Sequence, residues 1–394
     1  VHLYACNKSM TDGADGSPRR SFYNSDGDML IVPQQGALRL TTEFGRMLVS
    51  PHEIVVVQRG IRFSVDVDGP SRGYICEILR GHFELPSLGP IGANGLANPR
   101  DFQTPVAWYD GHDADADADA ARAAGAAPTS VATLAPAAAS ASASPPGPSA
   151  AVADWRVVNK FGHRVFEAEQ GHSPYDVVAW HGNYVPYKYN LDDFVCMNSV
   201  TVDHPDPSIY TVITCASDTP GVAICDFVIF PPRWMVMERS FRPPYYHRNC
   251  MTEFMGMVYG KYDAKVGFVP GGSSLHSIGT PHGPDAPTFK AASTEDLGPV
   301  RFGGGLAFMF ETSAILKLSD YALSGPDREW GYQGCWSALP ALFKPGRPDV
   351  TPAELAAEAD AASRAHPAAE SAAAAEAGAR EAAAAASSSS SGSA

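Results

Sequence analysis

The chain has 394 residues, 45% of them hydrophobic, which is enough apolar material for two domains or one large one. Its formal charge of −14 argues against a nucleic-acid or anionic-membrane surface, and no apolar run reaches the roughly 18 residues of a membrane span. Seven scattered cysteines without a CxxC pair read as free thiols in a reducing compartment.

A cytoplasmic location is therefore expected. No signal peptide is visible. The opening VHLYACNKS lacks an initiator methionine and reads as a fragment or processed chain, so targeting upstream of Val1 stays open.

Residues 28–80 are dense in strand signals: MLIVPQQG, ALRLTTEF, GRMLVSP, EIVVVQRG, RFSVDVDG and GYICEIL. Gly and Pro punctuate these runs every eight to twelve residues or so, the spacing of an antiparallel sandwich or barrel. Residues 81–109 hold too many Gly, Pro and Asn for regular elements but too many apolar residues for a free tail, and predict an ordered wrapping loop. Residues 111–153 are Ala, Ser, Pro and Asp in the main. They cannot bury enough apolar surface to offset ordering entropy and read as a disordered insertion.

Strand-like runs resume after Trp155: VVAWHG, SVTVDH, YTVITC, VAICDFVIF, EFMGMVYG, LAFMFET and AILKLS. From residue 349 a tail begins. Thr351, Pro352 and Glu354 make a capping-box start. The Ala/Glu helix that follows offers little to a core and dissolves into serines.

Chemistry concentrates between residues 180 and 283. His181, His247, His276 and His282 are flanked by aromatic, Gly or Pro residues rather than by charge. His247 and Glu253 are six apart. On a helix they would lie on opposed faces. On a straight strand they would share a face but lie far apart, and a chain that bends between them could bring both to one metal. Two histidines and a carboxylate with open positions left over are what a non-haem Fe(II) oxygenase needs. A surface histidine or a buried ion pair is the commoner reading of such a pair taken alone. VPGGSSLHS makes His276 a second ligand candidate beside His282, and spacing does not choose between them.

The strings FYNSDGDMLIVPQQG, LGPIGANGLANPRDF, VVAWHGNYVPYKYN, DHPDPSIYTV, CDFVIFPPRW, FRPPYYHRNCMTEFMG, VPGGSSLHS and TPHGPDA, in that order, resemble the homogentisate 1,2-dioxygenase family. The resemblance covers nearly all of 1–109 and 154–345. It implies a mainly β, bicupin-like fold of jelly-roll or sandwich barrels with few short helices and long ordered loops. It implies Fe(II) held by His247, Glu253 and His282, with His181 as acid/base. Tyr262 of GKYDAK would contact substrate, and His276 and His282 would line the substrate site. Homogentisate and O2 would be the substrates and maleylacetoacetate the product, in tyrosine and phenylalanine catabolism. The family also implies a homo-oligomer, a hexamer built from trimers.

The expected boundaries are a partial, metal-free N-terminal β domain over 1–110 and the insertion over 111–153. The rest of that domain and an iron-binding cupin domain occupy 154–348, and the tail 349–394. Arg62 stands near where a metal cupin would place a histidine in the first barrel. Departures from the family are an absent segment before CNKSM, the insertion, the tail and a small GADGSP expansion. A gentisate-type dioxygenase, and an inactive truncated cupin acting only as a binding or structural protein, are the competing readings.

Overall fold

Alternation of apolar and polar residues places one face of each short strand inward, and the strand signals of residues 28–80 all materialise. The computed structural model describes residues 1–13, 16–87, 97–106, 108, 155–175, 182–196, 210–235, 245–295, 298–341 and 351, 353, 354, 357 and 361. The runs VVAWHG (but for its last residue) and SVTVDH, and the 111–153 insertion, lie outside these. The chain divides into two units, Val1–Phe83 with Arg100–Asp193, and Glu84–Pro99 with Phe194–Ala394.

The first unit carries β1 (His2–Cys6), β2 (Arg19–Asn24), β3 (Asp28–Gln35), β4 (Leu38–Thr42), β5 (Gly45–Val49), β6 (Glu53–Val57), β7 (Phe63–Asp66), β8 (Ser71–Ile78), β9 (Trp155–Phe161), β10 (Arg164–Gln170) and β11 (Tyr187–Asn190). They form two sheets, ordered β1-β8-β3-β6-β11 and β10-β9-β2-β7-β4-β5. Ile31, Val55 and Val57 of the first sheet share one core cluster with Leu40, Val49 and Phe63 of the second. Burial of such side chains, each worth about 1.5–3 kcal/mol, holds the sheets face to face. Pro33 lacks a donor, and the β3–β8 ladder shifts register just after it. Sequence reading missed the β9–β10 hairpin. Its signal was a two-residue Gly162–His163 turn, both residues with positive φ (56° and 60°), between alternating runs.

Lys160 of β9 bonds Glu77 of β8 at 2.5 Å and Asp26 at 2.9 Å, while His2 and Asn24 bond Glu77 at 3.0 and 2.6 Å. The His2 contact is the largest influence on Glu77. Despite burial, it and the Lys160 and Asn24 contacts lower the Glu77 pKa from 4.5 to about 2. A depressed carboxylate stabilises the fold above its unfolded value and loses that contribution as pH falls toward its folded value. Glu77→Gln should therefore cost about 1–2 kcal/mol near neutrality, a figure discounted for solvent screening. Urea midpoints of wild type and variant should converge as pH falls from 4.5 toward about 2. A gap that stays constant over that range would contradict the assignment.

The second unit carries β12 (Thr211–Ala216), β13 (Ala223–Phe230), β14 (Arg233–Trp234), β15 (Thr252–Gly260), β16 (Ser273–His276), β17 (Arg301–Phe302) and β18 (Gly305–Thr312). Its main sheet runs β12-β13-β18-β15-β16, and β14 pairs with β17. Two α-helices, α1 (Ala286–Thr294) and α2 (Asp320–Ser324), accompany these strands.

Register decides which side chains face inward. Met255 lies opposite Met309, and Val228 lies opposite Met309 from the other side. These residues, with Met257, Ala307 and Phe230, form one core cluster. The opposite parity stacks Phe227, Phe254, Phe308 and Phe310. AILKLS is irregular rather than a strand. Its Ile315 is 82% exposed, so β-propensity there has no facing surface to pack against. The capping box forms: Glu354 accepts from the Thr351 amide and hydroxyl at 2.9 and 3.1 Å.

Both units are thus built of β-sheets that are antiparallel except where β2 pairs with β9. The mainly β expectation with few helices holds. No helix among the described residues is long and apolar enough to cross a membrane.

Candidate metal centre

The parity that buries Met255 and Met257 also turns Glu253 inward, because alternate residues of a strand share a face. Glu253 lies near the start of β15, opposite His276 of β16 on that same face. His247 stands before the strand. The chain bends between 247 and 252, which removes the length that a straight strand would put between the two residues.

His282 arrives from the TPHGPDA segment. His247 and His282 form an isolated antiparallel bridge, with reciprocal backbone hydrogen bonds of 2.7 and 2.8 Å. Their rings lie 4.5 Å apart. Asp285 anchors the end of the segment. It caps α1 by accepting from the Thr288 amide at 2.8 Å, and it also accepts from the Val266 amide at 2.9 Å. Its own amide bonds the Ala264 carbonyl. The turn bearing Tyr262 and the segment bearing His282 are thereby tied together.

One donor atom from each of His247, Glu253 and His282 lies within 4.8 Å of the others. A first-row divalent ion, with bonds of about 2.1 Å, would be spanned by this set after a small contraction. The imidazoles are already oriented. His247 Nδ1 bonds the Tyr245 carbonyl at 2.5 Å and His282 Nδ1 bonds the Thr280 carbonyl at 2.8 Å. A carbonyl only accepts, so each Nδ1 carries the proton and each Nε2 presents a lone pair.

Nε2 of His282 is buried and makes no hydrogen bond, although it lies 2.9 Å from Glu253 Oε2. A buried orphan nitrogen facing a carboxylate is costly without a cation between them. The residues therefore fit a divalent metal. Burial pushes the Glu253 carboxyl up, but His276, His282 and Asn249 outweigh it and hold the group well below the ordinary carboxylate range. Asn249 donates to Glu253 Oε1 and fixes the carboxylate's direction. Nothing in the sequence marked Asn249 out.

His276 lies beside the three. Its ring stacks on His282 at 4.2 Å and 11°, and its Nδ1 is 3.9 Å from Glu253 Oε2. Tyr262 lies against the inner cluster, edge-on to Phe230 and Phe268. Its hydroxyl meets the Met255 sulfur at 3.9 Å, and burial pushes that hydroxyl well above its usual range. The neighbouring Asp263 accepts from the buried Arg233 at 3.0 Å, which pins the turn bearing Tyr262. Tyr245 and Tyr246 are 51% and 43% exposed. His181 lies outside the described residues. Arg62 has its guanidinium 5.8 Å from the Tyr23 ring.

Sequence reading also missed the segment Tyr332–Trp336. Trp336 donates to the Gly283 carbonyl at 3.0 Å and packs against Tyr246 and His276. Only folding brings it to the site.

A mainly β protein with two histidines and one carboxylate converging on an inner sheet face defines a class, that of mononuclear non-haem metal proteins. The chain belongs to the homogentisate 1,2-dioxygenase family. The family's N-terminal model matches residues 1–124 and 148–191, and its C-terminal model matches 192–343. The homogentisate 1,2-dioxygenase of Drosophila melanogaster is 52% identical over 87% of this chain and 69% of its own length. The human enzyme is 50% identical over 88% of this chain and 68% of its own. That of Oryza sativa is 50% identical over 87% and 64%. Among solved structures, vicilin from Capsicum annuum aligns over 75% of this chain and 74% of its own, at 12% identity and a TM-score of 0.23.

Proposed function

We propose that the chain is an Fe(II)-dependent ring-cleaving dioxygenase that converts homogentisate and O2 to maleylacetoacetate, a step of tyrosine and phenylalanine catabolism. The observation that carries this reading is the His247, Glu253 and His282 cluster in a chain of this family. Two imidazoles and one carboxylate suit Fe(II) and leave coordination positions for substrate and O2. When bound, the iron would hold both reactants side by side and supply the redox chemistry of ring opening.

The chain's own residues do the rest. His247 and His282 keep their Nε2 lone pairs aimed inward through their carbonyl partners. Asn249 keeps Glu253 in place. Tyr262 would donate from its hydroxyl to position the substrate, and that hydroxyl keeps its proton because it is buried. His276 and His282 would line the substrate's side of the centre. His181 would take or share the ring hydroxyl's proton, a task suited to an imidazole titrating near neutrality.

His181→Ala is expected to keep about one iron per chain and lose turnover by about 100-fold or more. Wild-type turnover in that variant would sink its assigned role.

The defining experiment is oxygen uptake by the Fe(II)-reconstituted chain with homogentisate and gentisate side by side. Uptake with homogentisate alone supports the reading. Uptake with gentisate alone replaces it with a gentisate-type enzyme. Stoichiometric iron without uptake on either substrate means that the site forms but this chain is not catalytically competent. A homo-oligomer, a hexamer built from trimers, and a cytoplasmic location belong to the same proposal. Sedimentation and cell fractionation test them.

A further inference from the structure

His276 has two ring nitrogens with different partners. Nε2 lies 2.8 Å from the Tyr332 hydroxyl. Nδ1 is buried, makes no hydrogen bond, and faces Glu253 Oε2 at 3.9 Å. Unlike His282, whose Nδ1 proton is fixed by the Thr280 carbonyl, His276 has no carbonyl partner to set its tautomer, and a carboxylate, which only accepts, favours the proton on the nitrogen turned toward it. In a neutral imidazole the other nitrogen is then an acceptor, and Tyr332 must be the donor.

Tyr332 is built for that role. Lys265 places its ammonium 3.4 Å from the centre of the Tyr332 ring. A cation over the face draws density from the ring and strengthens the O–H as a donor. Trp336 meets the same ring edge-on at 5.1 Å, and the Tyr332 ring lies near-parallel to His276 at 6.0 Å and 19°. Asp285 and Glu329 are the charges near Lys265, and Ser274 lies at the Tyr332 hydroxyl.

We propose that Tyr332 is a positioning residue that holds His276 with its proton on Nδ1, so that the imidazole presents an N–H into the metal site. That N–H would donate to an oxygen of the bound hydroquinone. Lys265 is the second member of the device, holding and polarising the Tyr332 ring. The role of the hydroquinone rests on the function proposed above; the tautomer does not.

The test uses the full chain labelled with ¹⁵N-histidine and loaded with zinc(II). Two-bond proton–nitrogen spectra report the tautomer of each imidazole, and His276→Gln identifies the His276 signals. Wild type is expected to show the Nδ1–H form. Tyr332→Phe, which keeps the ring and removes only the hydroxyl, is expected to shift His276 toward the Nε2–H form. Lys265→Met keeps the hydroxyl and should move the same signals the same way by less.

In the iron-loaded chain, Tyr332→Phe should lower kcat by about 10–100-fold at unchanged iron content. Identical His276 signals in wild type and both variants overturn the assignment. An Nδ1–H signal that shifts in Tyr332→Phe, in a protein inactive on homogentisate, supports the positioning role while the functional reading fails.

Discussion

Glu253→Ala is expected to reduce bound iron from about one ion per chain to near zero after Fe(II) reconstitution. The carboxylate is the only anionic group of the three, and without it two neutral imidazoles remain to hold a dication. Turnover should fall by at least about 1,000-fold, equivalent to about 4 kcal/mol. Elemental analysis and oxygen uptake on the same sample check both numbers. The metal-free fold should survive. Glu253 is buried at 5% exposure, and His276, His282 and Asn249 hold it ionised well below its ordinary range, so the metal-free variant should also melt somewhat below metal-free wild type near neutrality. Retention of stoichiometric iron by Glu253→Ala would refute its place in the centre.

The second large effect is expected at Gly283, directly after His282. Its φ is +150°, and an added Cβ would lie 2.7 Å from Tyr246 Cα and 3.0 Å from the Tyr245 carbonyl oxygen. Those are backbone atoms of the segment that carries His247, and the Tyr245 oxygen already holds the His247 ring. They cannot yield without moving a candidate ligand. Gly283→Ala should push the His282 segment off the His247 segment, break the paired backbone bonds and cost about 2–4 kcal/mol.

Iron affinity should fall with it by about 10–100-fold. Gly279 is the control. It also has a positive φ, +75°, but nothing lies within 4 Å of its added Cβ, so Gly279→Ala should cost only about 1 kcal/mol of backbone strain. Equal losses in the two variants would mean that the close approach at Gly283 does not matter.

Much of the fold was legible because it is local. The runs of residues 28–80 alternate and are punctuated, and each became a strand. YTVITC, VAICDFVIF, EFMGMVYG and LAFMFET did so too. AILKLS has the same composition but no sheet to join. The β9–β10 hairpin escaped because its turn, Gly162–His163, looks unlike the common Asn-Gly pair. Its amides are held by Asp26, far away in sequence.

The site divides the same way. His247, Glu253, His276 and His282 could be named as candidates from residue type and flanking residues alone. Residue types, the order of family motifs and strand parity are properties of the linear chain, and they determined the mainly β class, the family and the candidate ligands. Spacing left His276 and His282 open and the family resemblance implied His282; only tertiary structure shows how His282 reaches His247 and Glu253 in one cluster. That approach depends on a bend before β15, a two-bond bridge between distant segments, and an Asp285 cap. Tyr332 and Asn249 became visible for the same reason. A hydrogen bond is a matter of ångströms in space, and sequence spacing does not carry that information across 56 residues.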